Sequence, residues 1–169
     1  MTGNWYVIHS KPRQERKAEE NLQTQGFKVY LPRLKRSIRR AGKWVKVIEP
    51  LFPRYLFIYL VMNEDDLSPI RSTRGVSRLL RFGDVPAKAP DSFIEALQSK
   101  ENPEAGCLVQ GDERFEQGSK VAIVEGPLKG LKGLIQSDSG EERVILLLNL
   151  LGRENATKVS RNDVVPVTD

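Results

Sequence analysis

The chain has 169 residues, 39% of them hydrophobic and 29% charged, which is enough for one medium domain or two small ones. It has no apolar run near the roughly 20 residues that a membrane-spanning helix needs, and its first residues lack the apolar segment of a secretion signal. Its one cysteine, Cys107, excludes a disulfide framework and a cysteine-based metal site. We therefore expect a cytoplasmic protein with no membrane association and no cofactor.

Charge is divided unevenly along the chain. Residues 1–100 contain 19 lysines and arginines against 10 acidic residues, a net charge of +9, whereas residues 101–169 contain 8 against 12, a net charge of −4. A basic half is typical of a surface that meets a polyanion such as a nucleic acid. The alternative is an ordinary solvated surface.

The first third of the chain predicts a strand, a helix and a second strand. Residues 4–10 are rich in aromatic and β-branched side chains, which favour a strand. Pro12 is suited to the first turn of a helix that runs to about Gln25, and Gly26 is a good C-terminal cap. The sequence FKVYLPRL (27–34) predicts the next strand.

A basic hairpin is predicted next. Residues 33–46 contain seven lysines and arginines and no acidic residue, and the centre of this segment, residues 39–43, reads as the tip of a hairpin. Residues 44–49 then form the returning strand. Trp44 is the one aromatic residue of the segment that could stack on a base.

An apolar strand follows at residues 54–60. Tyr55, Phe57 and Tyr59 alternate with three aliphatic residues, so both faces of the strand are apolar. Such a strand either lies between two packed layers or presents its aromatic side chains to a partner.

The remaining elements complete an α+β domain. We expect a short helix over residues 63–70, a strand over 75–83, and a helix that begins at Ser92, where a glutamate three residues later forms a capping-box pattern, and ends near Lys100. The order predicts an antiparallel sheet with flanking helices over residues 1–100. Residues 101–117 are polar and read as a linker.

Residues 118–136 read GSKVAIVEGPLKGLKGLIQ, a pattern of strand, Gly-Pro turn, basic residue, glycine and strand. Glycines let the strands of a very small barrel turn its corners. The stretch resembles the KOW motif of nucleic-acid-associated barrels, and the alternative is an ordinary glycine-rich hairpin. We assign residues 118–169 to a KOW domain, which is an interaction module.

Three segments of the first domain are similar to the NusG family of transcription elongation factors, which carry a C-terminal KOW barrel. They are WYVIHSKPRQERKAEENL (5–22), EPLFPRYLFIYL (49–60) and STRGVSRLLRFG (72–83). The Arg81-Phe82-Gly83 ending, the following VPAKAP and the later LLLNL resemble the specialised RfaH-like members of this family. The resemblance implies a NusG-type N-terminal domain, a monomer and no enzymatic activity.

The resemblance also implies which residues carry function. Tyr55, Phe57 and Phe82 would line an apolar groove for the clamp helices of RNA polymerase. Glu49 and Arg143 match an ion pair between the two domains of RfaH-like proteins. The positions that would contact the non-template DNA strand, together with the basic hairpin, are Lys11, Arg13, Arg16, Lys17, Arg40, Thr73 and Arg74.

The fold of the C-terminal domain is ambiguous from sequence. In RfaH-like proteins this domain can lie on the first domain as a helical hairpin that masks the polymerase site. In RVILLLNLL (143–151), Val144, Leu147, Leu148 and Leu151 fit a helical stripe, whereas alternate residues fit a strand. Because the preceding segment contains Pro127 and several glycines, which disfavour a helix, we expect the barrel.

The sequence thus predicts a factor that binds RNA polymerase, suppresses pausing and prevents termination. Its KOW domain would recruit a second partner, a ribosomal small-subunit protein or the terminator Rho. A KOW-containing RNA-binding module of ribosome assembly is the alternative, although the net charge of −4 in residues 101–169 argues against it. Catalysis has little support, because the one histidine, His9, lies in a strand and no phosphate-binding loop is present.

Overall fold

A computed structural model describes residues 3–111 and 131–156 of the chain. Residues 118–130, with most of the predicted KOW motif, and residues 157–169 lie outside the described residues. The helices are α1 (Glu15–Thr24), α2 (Ser68–Arg71), α3 (Asp91–Ser99), α4 (Leu131–Gln136) and α5 (Gly140–Ala156). The strands are β1 (Asn4–Ser10), β2 (Lys28–Tyr30), β3 (Arg33–Arg40), β4 (Lys43–Pro50), β5 (Tyr55–Leu60), β6 (Val76–Leu79), β7 (Arg81–Phe82), β8 (Val85–Pro86), β9 (Lys88–Ala89) and β10 (Leu108–Val109).

A five-stranded antiparallel sheet forms the centre of the fold. Its strands lie in the order β2-β5-β1-β6, and β9 pairs with the first half of β1. Val7 lies opposite Phe57, and Ile8 lies opposite Leu56 and Leu79. Because successive side chains of a strand point to opposite faces, β1 and β5 bury apolar residues on both faces of the sheet. The predicted α+β fold is confirmed.

Each face of the sheet has its own hydrophobic core. On one face Ile8 and Ile58 pack against Ala18 and Leu22 of α1. On the other face the core contains aromatic side chains of the sheet, three residues of α3, and leucines from α4 and α5. The predicted strand 54–60 therefore lies between two packed layers.

The basic hairpin is formed by β3 and β4, which pair in register from Arg33 opposite Pro50 to Arg40 opposite Lys43. Ala41 and Gly42 connect the strands with φ angles of 53° and 76°, the left-handed pair that a two-residue hairpin turn needs. The predicted position of the tip is correct. The hairpin belongs to a second sheet, in which β10 pairs with β3 in parallel.

Several details differ from the sequence predictions. The helix expected to be capped by Ser92 begins at Asp91, with Pro90 at the N-cap and no side-chain hydrogen bond there. The expected helix over 63–70 is reduced to the single turn α2. Residues 101–111, expected as the start of a linker, include β10, and Tyr30 Oη donates a hydrogen bond of 2.5 Å to Glu101 Oε2, which holds the segment on the first domain.

The largest difference concerns residues 131–156. The prediction of a strand over 143–151, and of a barrel there, is wrong: these residues lie within the 17-residue helix α5, which follows α4 as the second arm of a helical hairpin. Leu147 and Leu151 are fully buried, so the helical stripe in the sequence is the pattern that the structure uses. The barrel was expected because proline and glycines lower the helix propensity of the preceding segment. Packing of the helices against the sheet outweighs this unfavourable propensity.

Candidate functional site

The aromatic residues predicted to bind a partner belong to one hydrophobic cluster on one face of the central sheet, Tyr55 and Phe57 from β5 and Phe82 from the separate strand β7. Phe57 is fully buried and Phe82 is 4% exposed, whereas Tyr55, near the end of the same face, is half-buried. The ring of Phe57 lies 6.1 Å from that of Phe52 and 6.2 Å from that of Phe93, both in edge-on contacts. This aromatic group is a large apolar surface in a compact arrangement.

The C-terminal helices cover this face. Leu147, Leu150 and Leu151 of α5, with Leu134 and Ile135 of α4, belong to the same buried cluster as the aromatic residues. The apolar stripe of α5 therefore has the sheet face as its packing partner. The predicted groove is occupied by residues of this same chain.

One buried arginine fixes the helical hairpin to the first domain. Arg143 has no exposed surface, and its guanidinium forms an ion pair with Glu49, near the end of β4. Its Nε donates to the carbonyl oxygen of Leu51 at 2.7 Å, and its Nη1 donates to that of Ser137 at 2.7 Å. All three guanidinium nitrogens thus have acceptors, as a buried charge requires.

Glu49 has a second cationic partner that the sequence interpretation missed. Arg36 Nε lies 3.1 Å from Glu49 Oε1, while Arg143 contacts the other carboxylate oxygen. The signal in the sequence was the alternation of β3 and β4, which puts both residues on one face of the hairpin. Glu49 therefore bridges the basic hairpin and the C-terminal helices.

The predicted nucleic-acid surface is centred on the start of α1. Lys11, Arg16, Lys17 and Arg74 are exposed there. The loop that carries Arg74 is fixed to the helix, because Lys11 N donates to the carbonyl oxygen of Gly75 at 2.8 Å. This hydrogen bond brings two segments that carry exposed cations close together, as a polyanion site needs.

The glycine of this loop has a steric role. Gly75 has a φ of 91°, and a Cβ added there would lie 2.6 Å from the backbone nitrogen of Ala18 and 2.9 Å from the carbonyl oxygen of Gln14. Only a residue without a side chain lets the loop approach the helix so closely.

Thr73 differs from the other predicted contact residues, because it is 6% exposed. Its hydroxyl donates to the carbonyl oxygen of Pro69 at 2.8 Å and accepts a hydrogen bond of 2.7 Å from Gln25 Nε2. Both interactions lie inside the protein, so the geometry supports a role for Thr73 in positioning the loop.

Two arginines near this surface have left-handed backbone conformations, Arg13 with a φ of 62° and Arg54 with a φ of 74°. The buried carboxylate of Glu15 accepts a hydrogen bond of 2.9 Å from Arg54 N, and Arg54 Nε donates to the carbonyl oxygen of Ser10 at 3.2 Å. Such strained residues persist where the surrounding contacts fix them. Arg13 is exposed beside Lys11.

His9 lies at the open end of the aromatic face, with its ring 4.9 Å from that of Tyr55. Burial lowers the pKa of His9 below its usual range, and the nearby guanidinium groups of Arg54 and Arg78 lower the pKa further. Its Nδ1 is buried without a hydrogen-bond partner among the described residues. The neutral imidazole is the form that this environment favours.

The tip of the basic hairpin extends into solvent. Arg40 and Lys43 are exposed at the tip, and Trp44 is 66% exposed. Burial raises the pKa of the Glu19 carboxyl on α1, and the positive charge of Arg33, at the start of the hairpin, opposes that rise. The base of the hairpin therefore lies close to α1.

Residues 3–111 and 131–156 contain no group of three or more histidine, cysteine, aspartate or glutamate side chains that could hold a metal ion. No helix in the same part is long and apolar enough to cross a membrane.

The amino-acid sequence is similar to those of known proteins. The NusG family model, described as "Transcription termination factor nusG", matches residues 3–98. The transcription termination/antitermination protein NusG of Thermus thermophilus is 27% identical over 98% of this chain and 99% of its own length. The Bacillus subtilis protein of the same name is 28% identical over 94% and 96%.

A solved structure from a study of domain interaction in Thermotoga maritima NusG is similar over 53% of this chain and 52% of that chain, with 24% sequence identity and a TM-score of 0.37. Since the family model spans more than half of the sequence, the chain belongs to the NusG family of transcription factors.

Proposed function

We propose that this protein is a transcription elongation and antitermination factor that binds RNA polymerase through the aromatic face of its central sheet. Tyr55, Phe57 and Phe82 would supply the main contacts, with polymerase helices lying in the groove that they line. Aromatic side chains are frequent anchors in contacts between a helix and an apolar groove. The family membership supports the kind of partner.

The observation that carries the proposal is the position of α4 and α5 on this face. Leu147, Leu150 and Leu151 occupy the groove as an apolar helical stripe, which is the geometry that a helix of a partner would adopt. In this conformation the helices and the polymerase compete for one surface. The arrangement favours an RfaH-like specialised factor, which is active only after its C-terminal helices leave.

The basic surface supports a second contact, with the exposed non-template DNA strand. Side chains on α1 and the loop before β6 would hold its phosphates, with Arg74 at the centre of the group. Such contacts fix the position of a strand and read its sequence only in part. Thr73 would act by holding the loop in place, and the side chains that would contact the strand directly are Lys11, Arg13, Arg16, Lys17, Arg40 and Arg74.

Once α4 and α5 have left the sheet face, residues 118–169 would form a KOW module that recruits a second partner in the cytoplasm, a ribosomal small-subunit protein or Rho. The factor would be a monomer without enzymatic activity. A ribosome-assembly module is the alternative from sequence, and no observation within residues 3–111 and 131–156 favours it.

The test measures the affinity of purified core RNA polymerase for four full-length proteins: the parent, Glu49→Ala, Tyr55→Ala and the double variant. Glu49→Ala should bind more tightly than the parent, because it weakens the attachment of α5. Tyr55→Ala should weaken binding at least tenfold in the Glu49→Ala background, since truncation of an interface aromatic commonly costs about 2 kcal/mol. Tyr55 is chosen because it is half-buried, whereas truncating the fully buried Phe57 would itself destabilise the fold.

Glu95→Ala, which removes an exposed carboxylate on α3, is the matched control and should bind like the parent. The proposal fails if the double variant, folded by circular dichroism, binds polymerase as tightly as Glu49→Ala alone.

A further inference from the structure

The two strands of the basic hairpin present a second surface that faces away from the core. Since Leu34 is fully buried, the alternate positions of β3 and their partners on β4 point outward. We call this surface the outer hairpin face. Its residues are Lys35, Ser37, Arg39, Trp44, Lys46 and Ile48.

Two large apolar side chains of the outer hairpin face are exposed to solvent. Trp44 is 66% exposed and Ile48 is 56% exposed, so both keep a large apolar area in contact with water. All charged residues of the sequence from 33 to 48 are lysine or arginine. The surface is therefore complementary in charge to a polyanion.

The indole ring of Trp44 is positioned to stack on a planar ligand. The Arg39 guanidinium lies 5.2 Å from the centre of the indole ring, and Arg39 Nη2 donates to the carbonyl oxygen of Gly42 at 3.1 Å. The arginine thus fixes the indole from one side while most of the side chain stays exposed. An aromatic side chain flanked by cations is the combination that binds single-stranded nucleic acid by stacking.

We propose that the outer hairpin face binds single-stranded nucleic acid, with an unpaired base stacked on Trp44 and the adjoining phosphates held by Lys35, Arg39 and Lys46. The inference rests on the proposed contact with nucleic acid and adds to it a stacking site on a different element from α1. A duplex would fit less well, because its bases are already stacked on one another. A protein partner would need acidic groups to match the cations of this surface.

Tryptophan fluorescence of the full-length protein tests this directly. Trp5 is 7% exposed, so a change in fluorescence on adding an oligonucleotide reports mainly on Trp44. The probes are oligo(dT), oligo(rU) and a mixed-sequence DNA duplex, each of about 15 nucleotides or base pairs, which is the length that a compact single-strand site covers. We expect both single strands to quench the fluorescence and the duplex to leave it nearly unchanged. Whichever strand binds more tightly shows whether the natural ligand is DNA or RNA.

Substitutions separate stacking from charge. Trp44→Ala should weaken single-strand binding about tenfold, whereas Trp44→Phe should keep most of the affinity because a phenyl ring also stacks. Gln98→Ala, which removes an exposed, uncharged side chain of α3 outside both basic surfaces, is the control and should bind like the parent.

Arg74→Ala, on the α1 surface, keeps this inference distinguishable from the proposed function. If Arg74→Ala weakens binding while Trp44→Ala does not, the stacking site is refuted and the proposed DNA surface stands. The reverse result supports the stacking site and contradicts the proposed surface on α1. Equal quenching by duplex and single strands would also overturn the inference, as would loss of polymerase binding in Trp44→Ala without any effect on oligonucleotides.

Discussion

Glu49→Ala is the substitution that bears most directly on the attachment of the C-terminal helices. It removes the carboxylate that pairs with Arg143, a guanidinium with no exposed surface. Removal of one partner from a buried ion pair costs about 3–5 kcal/mol, because the remaining charge is buried without compensation. Here Glu49 is 26% exposed and two carbonyl oxygens still accept hydrogen bonds from Arg143, so we expect about 2 kcal/mol.

A loss of about 2 kcal/mol lowers the ratio of attached to detached helices about 30-fold. Hydrogen exchange measures this ratio, because amides of α5 exchange when the helix detaches. Exchange over residues 143–151 should accelerate about 30-fold in Glu49→Ala, whereas amides of β1 and β5 should keep their parent rates. Glu95→Ala should change neither region. Parent-like protection of 143–151 in Glu49→Ala would refute the idea that this pair attaches the helices.

Three further predictions concern separate parts of the molecule. Gly75→Ala should lower the free energy of unfolding by several kcal/mol in urea titrations. Gly26 has a similar φ of 94° but open space around it, so Gly26→Ala should lower the free energy of unfolding by only about 1–2 kcal/mol. Equal losses would show that the close approach at Gly75 is unimportant. The pKa of His9 is lowered in the folded protein, so its contribution to stability is complete above about pH 6.5 and is lost as the pH falls below that value. His9→Leu should therefore reduce the difference in melting temperature between about pH 7.5 and pH 5. An unchanged difference would refute this. Arg36 is the partner that Glu49 keeps when the helices detach, so Arg36→Ala should destabilise the detached state more than the attached one. Hydrogen exchange in α5 should then slow about two- to fivefold. Faster exchange would show that Arg36 supports the attached state.

Much of the first domain could be predicted because its signals are local. The alternation of β1 and β5, the Ala41-Gly42 turn and Gly26 after α1 each depend on a few neighbouring residues. The capping-box pattern at Ser92 failed because Pro90 takes the N-cap position one residue before the helix begins. A side-chain pattern can indicate that a helix begins nearby, but the residue at which it begins depends on the backbone conformation of the preceding residues.

The helices at residues 131–156 could not be predicted from the sequence, because they depend on contacts with residues far away in the chain. In the sequence, Arg143 reads as a surface residue whose ion pair would contribute about 0–1 kcal/mol. In the structure it is fully buried with three acceptors, two of which, on Glu49 and Leu51, belong to the first domain. The choice between strand and helix for RVILLLNLL therefore depends on the sheet face it meets, which is a tertiary term.

The central claim is that α5 and RNA polymerase compete for the aromatic face. Hydrogen exchange on the full-length protein, alone and in complex with core RNA polymerase, tests it most directly. We predict that residues 143–151 lose protection in the complex while the amides of Phe57 and its neighbours in β5 stay protected. A stable complex in which residues 143–151 keep the protection of the free protein would contradict the claim, because α5 would then still cover the face.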